Sequence, residues 1–159
     1  MKCAIIGTVG VPARYGGFET LAENLVRYHA NQHVSSELTV YCSGNTYPER
    51  AKTYHKADLR YSRFNANGPQ SVIYDIATVL DAVRRSHDVL LVLGVSGAII
   101  LPLIKLFSRK RIVINVDGIE WQREKWQGIA KHFLRWSEKL AVRHSDVVIA
   151  DNRAIAEYL

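Results

Sequence analysis

Short apolar runs alternate along this chain with longer stretches in which apolar residues return every three or four positions. The runs predict strands at residues 3–6, 37–42, 88–93, 111–116 and 146–150. Between them, helical spacing appears at 18–30, where Leu21, Ala22, Leu25 and Val26 share one face. It recurs at 70–85, where Val72, Ile73, Ile76, Ala77, Leu80 and Val83 make an apolar stripe. Residues 96–107 read as a further helix, and 129–144 as another with Ile129, Ala130, Phe133, Leu134, Leu140 and Ala141 on one side. A last helix begins at 154 and runs to 159.

Strands in regular alternation with helices predict an α/β fold, a doubly wound and mostly parallel sheet flanked by helices. After Asp88 the run at 88–93 is continuously apolar, as a strand covered on both sheet faces would be. Residues 46–69 are less patterned. Ser43, Gly44 and Asn45 mark a turn, 50–56 is basic and polar, 59–64 suits a short strand, and 65–69 is a loop. The uncharged stretch from Val89 to Ile104 falls short of the ~20 residues a spanning helix needs. Gly94, Ser96, Gly97 and Pro102 also divide it, so it reads as core.

At 159 residues the chain makes one domain of ordinary size, and 48% hydrophobic content is enough to fill a core. A net charge of +6 suits an anionic partner. Nucleic acid is not expected, because no zinc spacing, aromatic RNA-binding motif or long basic tract accompanies the charge. Cys3 and Cys42 fall in strands and read as core thiols of a reducing cytoplasm; a disulfide would need those strands to be neighbours. The first residues are broken by glycine too early for a signal peptide, so the expected location is cytoplasmic. The six histidines form no ligand pair and no metal is expected, nor does 94–97 have the spacing of a nucleophile elbow.

In an open parallel sheet, ligands sit beyond the carboxyl ends of the strands. Four loops meet that condition: 7–17, with its glycines and Arg14 and Tyr15; 94–97, with Gly94, Ser96 and Gly97; 117–120, with Asp117, Gly118 and Glu120; and 151–153, with Asp151, Asn152 and Arg153. A glycine-bearing loop that enters a helix presents free N–H groups to an anion, and Gly16 and Gly17 let a ligand approach the backbone closely. A purely structural loop fits the same residues, since the spacing is neither Gly-x-Gly-x-x-Gly nor a phosphate loop ending in Gly-Lys-Ser/Thr. Asp117 leaves a buried strand beside a glycine, where it either faces a ligand as base or acceptor or closes a turn on its own backbone. Glu19 serves either the helix dipole or a ligand. Arg14 can pair with phosphate or with an acidic partner.

The string Gly-Thr-Val-Gly-Val-Pro-Ala-Arg-Tyr-Gly-Gly-Phe-Glu-Thr-Leu at 7–21, with Val-Leu-Gly-Val-Ser-Gly at 92–97 and Ile-Asn-Val-Asp-Gly-Ile-Glu-Trp at 114–121, resembles the start of bacterial rhamnosyltransferase-like glycosyltransferases of the retaining, family 4-like group with the GT-B fold. The resemblance covers essentially the whole chain but only the N-terminal, acceptor-side half of such an enzyme. It implies two Rossmann-like domains across a cleft, with a C-terminal donor-binding domain that is absent from this chain, so residues 1–159 alone are expected to be inert. The implied reaction moves a sugar from a nucleotide diphosphate to a glycan or lipid-linked acceptor in cell-surface polysaccharide synthesis, without a cofactor. The resemblance places Gly16 and Gly17 against the donor diphosphate and Asp117 near the reacting sugar, where many relatives carry His. An imidazole mechanism therefore does not carry over.

All three tryptophans lie within 120–136, among Lys125, Lys131, His132 and Arg135. That mixture suits peripheral contact with the inner membrane surface, or a helix packing its rings on the sheet. A non-catalytic module that binds a phosphorylated ligand is the alternative to the enzyme. A dinucleotide oxidoreductase fits less well, because Tyr41, Cys42 and Ser43 stand where an acidic ribose contact belongs.

Overall fold

The computed structural model describes residues 1–14, 16–32, 35–122 and 127–159. Seven strands, β1 (Lys2–Ile6), β2 (Glu37–Ser43), β3 (Thr53–Tyr54), β4 (Ala57–Ser62), β5 (Val89–Leu93), β6 (Arg111–Val116) and β7 (Val147–Ala150), form one sheet in the order β3-β4-β2-β1-β5-β6-β7. Every pairing is parallel except that of β3 with β4. Among the described residues, five α-helices connect or follow the strands: α1 (Gly17–Asn31), α2 (Ser71–Arg84), α3 (Leu101–Phe107), α4 (Gly128–His144) and α5 (Arg153–Tyr158). The expected doubly wound sheet is the one observed.

The chain builds outward from β1 through β2 to β4, then crosses back over α2 to begin β5 on the other side of β1. Strand order therefore reverses between β1 and β5, and the crevice above that point is where such sheets bind ligands. One core cluster joins α2 and α3 to Ala4, Ile6, Leu90, Val92, Ile112 and Ile114. The other joins α1 to Ile5, Val40, Cys42 and Leu59.

Three sequence expectations change in the structure. First, the buried side of α2 is not the apolar stripe. Ile73 and Leu80 are exposed, and Tyr74, Asp75, Thr78, Val79 and Ala82 face inward. The polar members can be buried because each has a partner: Tyr74 Oη lies 2.9 Å from both Thr8 O and Tyr41 O, and Thr78 donates to Tyr74 O at 2.8 Å. Second, α4 buries Leu134, Ser137, Glu138 and Ala141 while Ile129 stands in solvent. Third, the basic stretch before residue 57 holds a two-residue hairpin turn between β3 and β4. His55 (φ 44°) and Lys56 (φ 70°) both adopt the left-handed conformation that such turns need, without the Asn-Gly signature that announces it.

Cys3 and Cys42 are free thiols. Their strands are neighbours, but Cys3 sits opposite Leu38. Cys42 is thus displaced along the strand by about 13 Å at ~3.3 Å per residue, beyond any disulfide.

Candidate functional site

The loops that leave β1, β5 and β6 at their carboxyl ends converge on a cavity of about 450 Å³ at the strand-order reversal. Gly7 ends β1 with φ 86°, and a Cβ there would lie 2.1 Å from Leu93 O, so only glycine lets the two strand ends meet this closely. Gly94, Ser96, Asp117, Gly118 and Glu120 all line the cavity. These five of the sequence-predicted positions are brought together. Asp117 is exposed at the mouth, and Glu120 begins a short 3-10 turn.

The predicted glycine loop contributes less to this cavity than its sequence promises. Gly16 and Gly17 lie at the exposed start of α1 and do not line it; their neighbour Phe18 does. Arg14 lies with its guanidinium 5.0 Å from the centre of the Tyr47 ring. Glu19 is buried and turned back on the loop, its Oε2 accepting the Arg14 backbone N–H at 2.7 Å. Glu23 receives the Ala13 N–H at 2.7 Å in the same way, and that bond above all holds its carboxyl below the usual range. Two glutamates on α1 therefore clasp the loop from below. Tyr15 lies outside the described residues.

The fourth loop is likewise used for structure. Asn152 caps α5 by accepting the Ile155 N–H at 3.0 Å, Asp151 accepts from Asn115 at 2.8 Å, and Arg153 pairs with Glu157 on its own helix.

One residue of the cavity wall was not singled out from the sequence. Asp75, on the second turn of α2, is 4% exposed and lines the cavity. It accepts a hydrogen bond from Ser96 Oγ and another from the Gly97 backbone N–H. Burial drives its carboxyl up to about 7, against the opposing pull of those two bonds. From the other side, Ser137 on α4 donates to Val95 O at 2.6 Å. The 94–97 turn is thus held between two helices. Hydrophobic patterning carries no signal for it, since Asp75 shares its helix face with the polar Ser71 and Thr78 as well as with Val79.

Trp121 is fixed rather than displayed. Its Nε1–H lies 3.2 Å from both Glu138 Oε1 and Tyr158 Oη, Tyr158 donates to the same Glu138 oxygen at 2.8 Å, and Lys131 and Arg135 lie over the ring. Glu138 is buried and its other oxygen has no hydrogen-bond partner among the described residues. Trp136 is half-exposed on α4, and Trp126 lies outside the described residues.

The cavity wall combines the carboxylates Asp75, Asp117 and Glu120 with Phe18, Phe133 and Leu134, and none of its described lining residues is Lys, Arg or His. Such a wall accepts hydrogen bonds from hydroxyl groups and packs against an apolar ring face. Its described residues offer no cation to a phosphate. Among the described residues, no group of three or more His, Cys, Asp or Glu side chains could hold a metal ion.

Residues 1–159 match, end to end, the family described as Domain of unknown function (DUF1972). The chain belongs to that family. No curated protein sequence matches this DUF1972 domain. Among solved structures, sucrose-phosphate synthase from Thermosynechococcus elongatus is similar with a TM-score of 0.62 at 13% identity, over 92% of this chain and 41% of that one. The chain therefore spans well under half the length of that protein, and at this identity the likeness shows the fold. A short-chain dehydrogenase/reductase (wide type) from Veillonella parvula, solved with NADP, aligns with a TM-score of 0.48 at 10% identity, over 94% of this chain and 67% of its own. That level of similarity carries no weight here.

Proposed function

We propose that this domain is the acceptor-side half of a glycosyltransferase, and that the cavity at the β1–β5 reversal receives the hydroxyl-bearing acceptor. The observation that carries the reading is the cavity wall itself: three carboxylates and two aromatic rings, with no cation among its described residues. Carboxylates hydrogen-bond hydroxyl groups strongly, and aromatic faces pack against the C–H faces of sugar rings. The fold shared with sucrose-phosphate synthase supports the same assignment, as do the motifs at 7–21, 92–97 and 114–121.

In this reading Asp117, at the mouth, accepts a hydrogen bond from the attacking acceptor hydroxyl and orients its oxygen toward the anomeric carbon of the donor sugar. As the acceptor oxygen bonds to that carbon, the bond from the carbon to the diphosphate breaks, and the nucleotide diphosphate leaves with the hydroxyl proton on its departing oxygen. The donor is held chiefly by a second domain of the same protein, with the exposed backbone at Gly16 and Gly17 meeting its diphosphate. Retention of configuration and a rhamnose donor are the finer expectations of the resemblance.

Peripheral contact with an anionic membrane fits α3 better than the tryptophan segment. Leu106 is 73% and Phe107 80% exposed at the end of α3, next to Arg109, Lys110 and Arg111. No helix among the described residues is long and apolar enough to cross a membrane. A non-catalytic phosphate-binding module would want a cation in the cavity, which its described lining lacks.

The test is a screen of nucleotide sugars for transfer by the protein that joins this domain to a donor domain, with a lipid-linked or glycan acceptor. Transfer from one donor supports the proposal. Failure with every donor, together with binding of phosphorylated ligands in this cavity, would replace it with the binding module.

A further inference from the structure

The later turns of α2 line a second depression, of about 660 Å³, on the side facing β4. Its wall contains four arginines, Arg60, Arg63, Arg84 and Arg85, and a single carboxylate, Asp81. That carboxylate is fully engaged on one oxygen. Asp81 Oδ2 receives the Tyr41 hydroxyl at 2.8 Å and Arg85 Nε at 2.7 Å, and Arg60 Nε stands 3.5 Å away.

The atoms used matter. Both arginines turn the Nε edge toward Asp81, and the contacts that hold them leave their terminal Nη groups to other acceptors. Guanidinium groups oriented in this way present paired donors that match the spacing of phosphate oxygens. Arg63 lies over the Phe64 ring with its carbon 5.4 Å from the centroid, and Arg84 makes no ion pair among the described residues. One carboxylate does not balance four cations, and the depression is concave, which suits a compact anion better than a flat bilayer.

We propose that the α2–β4 depression is a second binding site, for a soluble phosphate or diphosphate ester, with Arg60 and Arg85 as its paired donors and Asp81 as the residue that orients them. Burial alone would raise the Asp81 carboxyl, but the hydrogen bonds from Arg85 and Tyr41 outweigh it and hold the group below its usual range, so it stays charged at neutral pH. This site is separate from the cavity at the β1–β5 reversal, and it stands whether or not the domain transfers sugar.

The experiment is a titration of the full chain with inorganic pyrophosphate at constant ionic strength, followed through the Nε–Hε signals of Arg60 and Arg85 and the amides of α2. Saturable shifts at those signals are expected, with affinity falling by at least about tenfold in Arg60→Gln/Arg85→Gln, roughly one charge-assisted hydrogen bond. Asp81→Asn separates orientation from charge. If Asp81 orients the arginines, the variant binds pyrophosphate more weakly despite its extra positive charge; if it only neutralises them, the variant binds more tightly and the proposed role is overturned. Shifts that follow ionic strength alone, or that persist in the double variant, overturn the site. Thermal unfolding of each variant confirms that it is folded before it is scored.

Discussion

Asp75 on α2 accepts the Ser96 hydroxyl from the turn after β5, so a buried carboxyl joins the crossover helix to the cavity rim. Because α2 connects the two halves of the sheet, this contact fixes the 94–97 turn relative to β1 and to Asp117 opposite.

The contact has a pH signature. A carboxyl raised from 3.8 to about 7 in the folded chain binds its proton more tightly there than when unfolded. Its contribution to stability is therefore present at low pH and is lost as pH rises between about 4 and 7, with a slope of at most about 1.4 kcal/mol per pH unit. Asp75→Asn removes this component. Denaturant unfolding of both proteins at pH 5 and pH 8 checks it: the gap between the two pH values should shrink in the variant.

Gly97 packs against the same residue. A Cβ at position 97 would lie 2.2 Å from Asp75 Cβ, a clash that only a shift of α2 or of the turn relieves. Gly97→Ala should destabilise the domain by about 1–3 kcal/mol, the usual cost of overpacking, seen as a lower melting temperature.

Tyr74 spans the other side of α2. Its hydroxyl reaches the backbone oxygens of Thr8, in the first loop, and Tyr41, in β2, with no exposure to water. Tyr74→Phe leaves both oxygens without this donor and should cost about 1–3 kcal/mol. Chemical denaturation measures it, and an unchanged midpoint would mean that water takes over the bond.

Trp121 anchors the segment that follows Asp117. Trp121→Phe removes the N–H that meets Glu138 and Tyr158 while keeping the ring under Lys131 and Arg135. A loss of about 1–3 kcal/mol is expected, because the buried Glu138 carboxylate loses a hydrogen-bond donor. Amide exchange at 117–122 should quicken in the variant. Unaltered exchange there would show that other contacts hold the loop.

The sheet was legible because five of its strands hold short, mostly apolar runs that alternate with helical spacing. The β3–β4 hairpin escaped notice since His55 and Lys56 take a conformation their residue types do not advertise. The inward face of α2 was misread for a different reason. Hydrophobic patterning ranks Tyr74, Asp75 and Thr78 outward, whereas partners distant in sequence, Thr8, Tyr41 and Ser96, make their burial tolerable. The same limit hid Asp75 from the site. Strand ends brought Gly94, Ser96, Asp117, Gly118 and Glu120 to one cavity, because the loops at the carboxyl ends of parallel strands share an edge of the sheet.

Sugar transfer by the protein that carries this domain, compared between wild type and Asp117→Ala, tests the central claim most directly. With Asp117 orienting the acceptor hydroxyl, the variant should lose about 10²–10⁴-fold in turnover while its melting temperature stays near that of wild type. Turnover unchanged in a folded Asp117→Ala protein would contradict the account and remove Asp117 from the reaction.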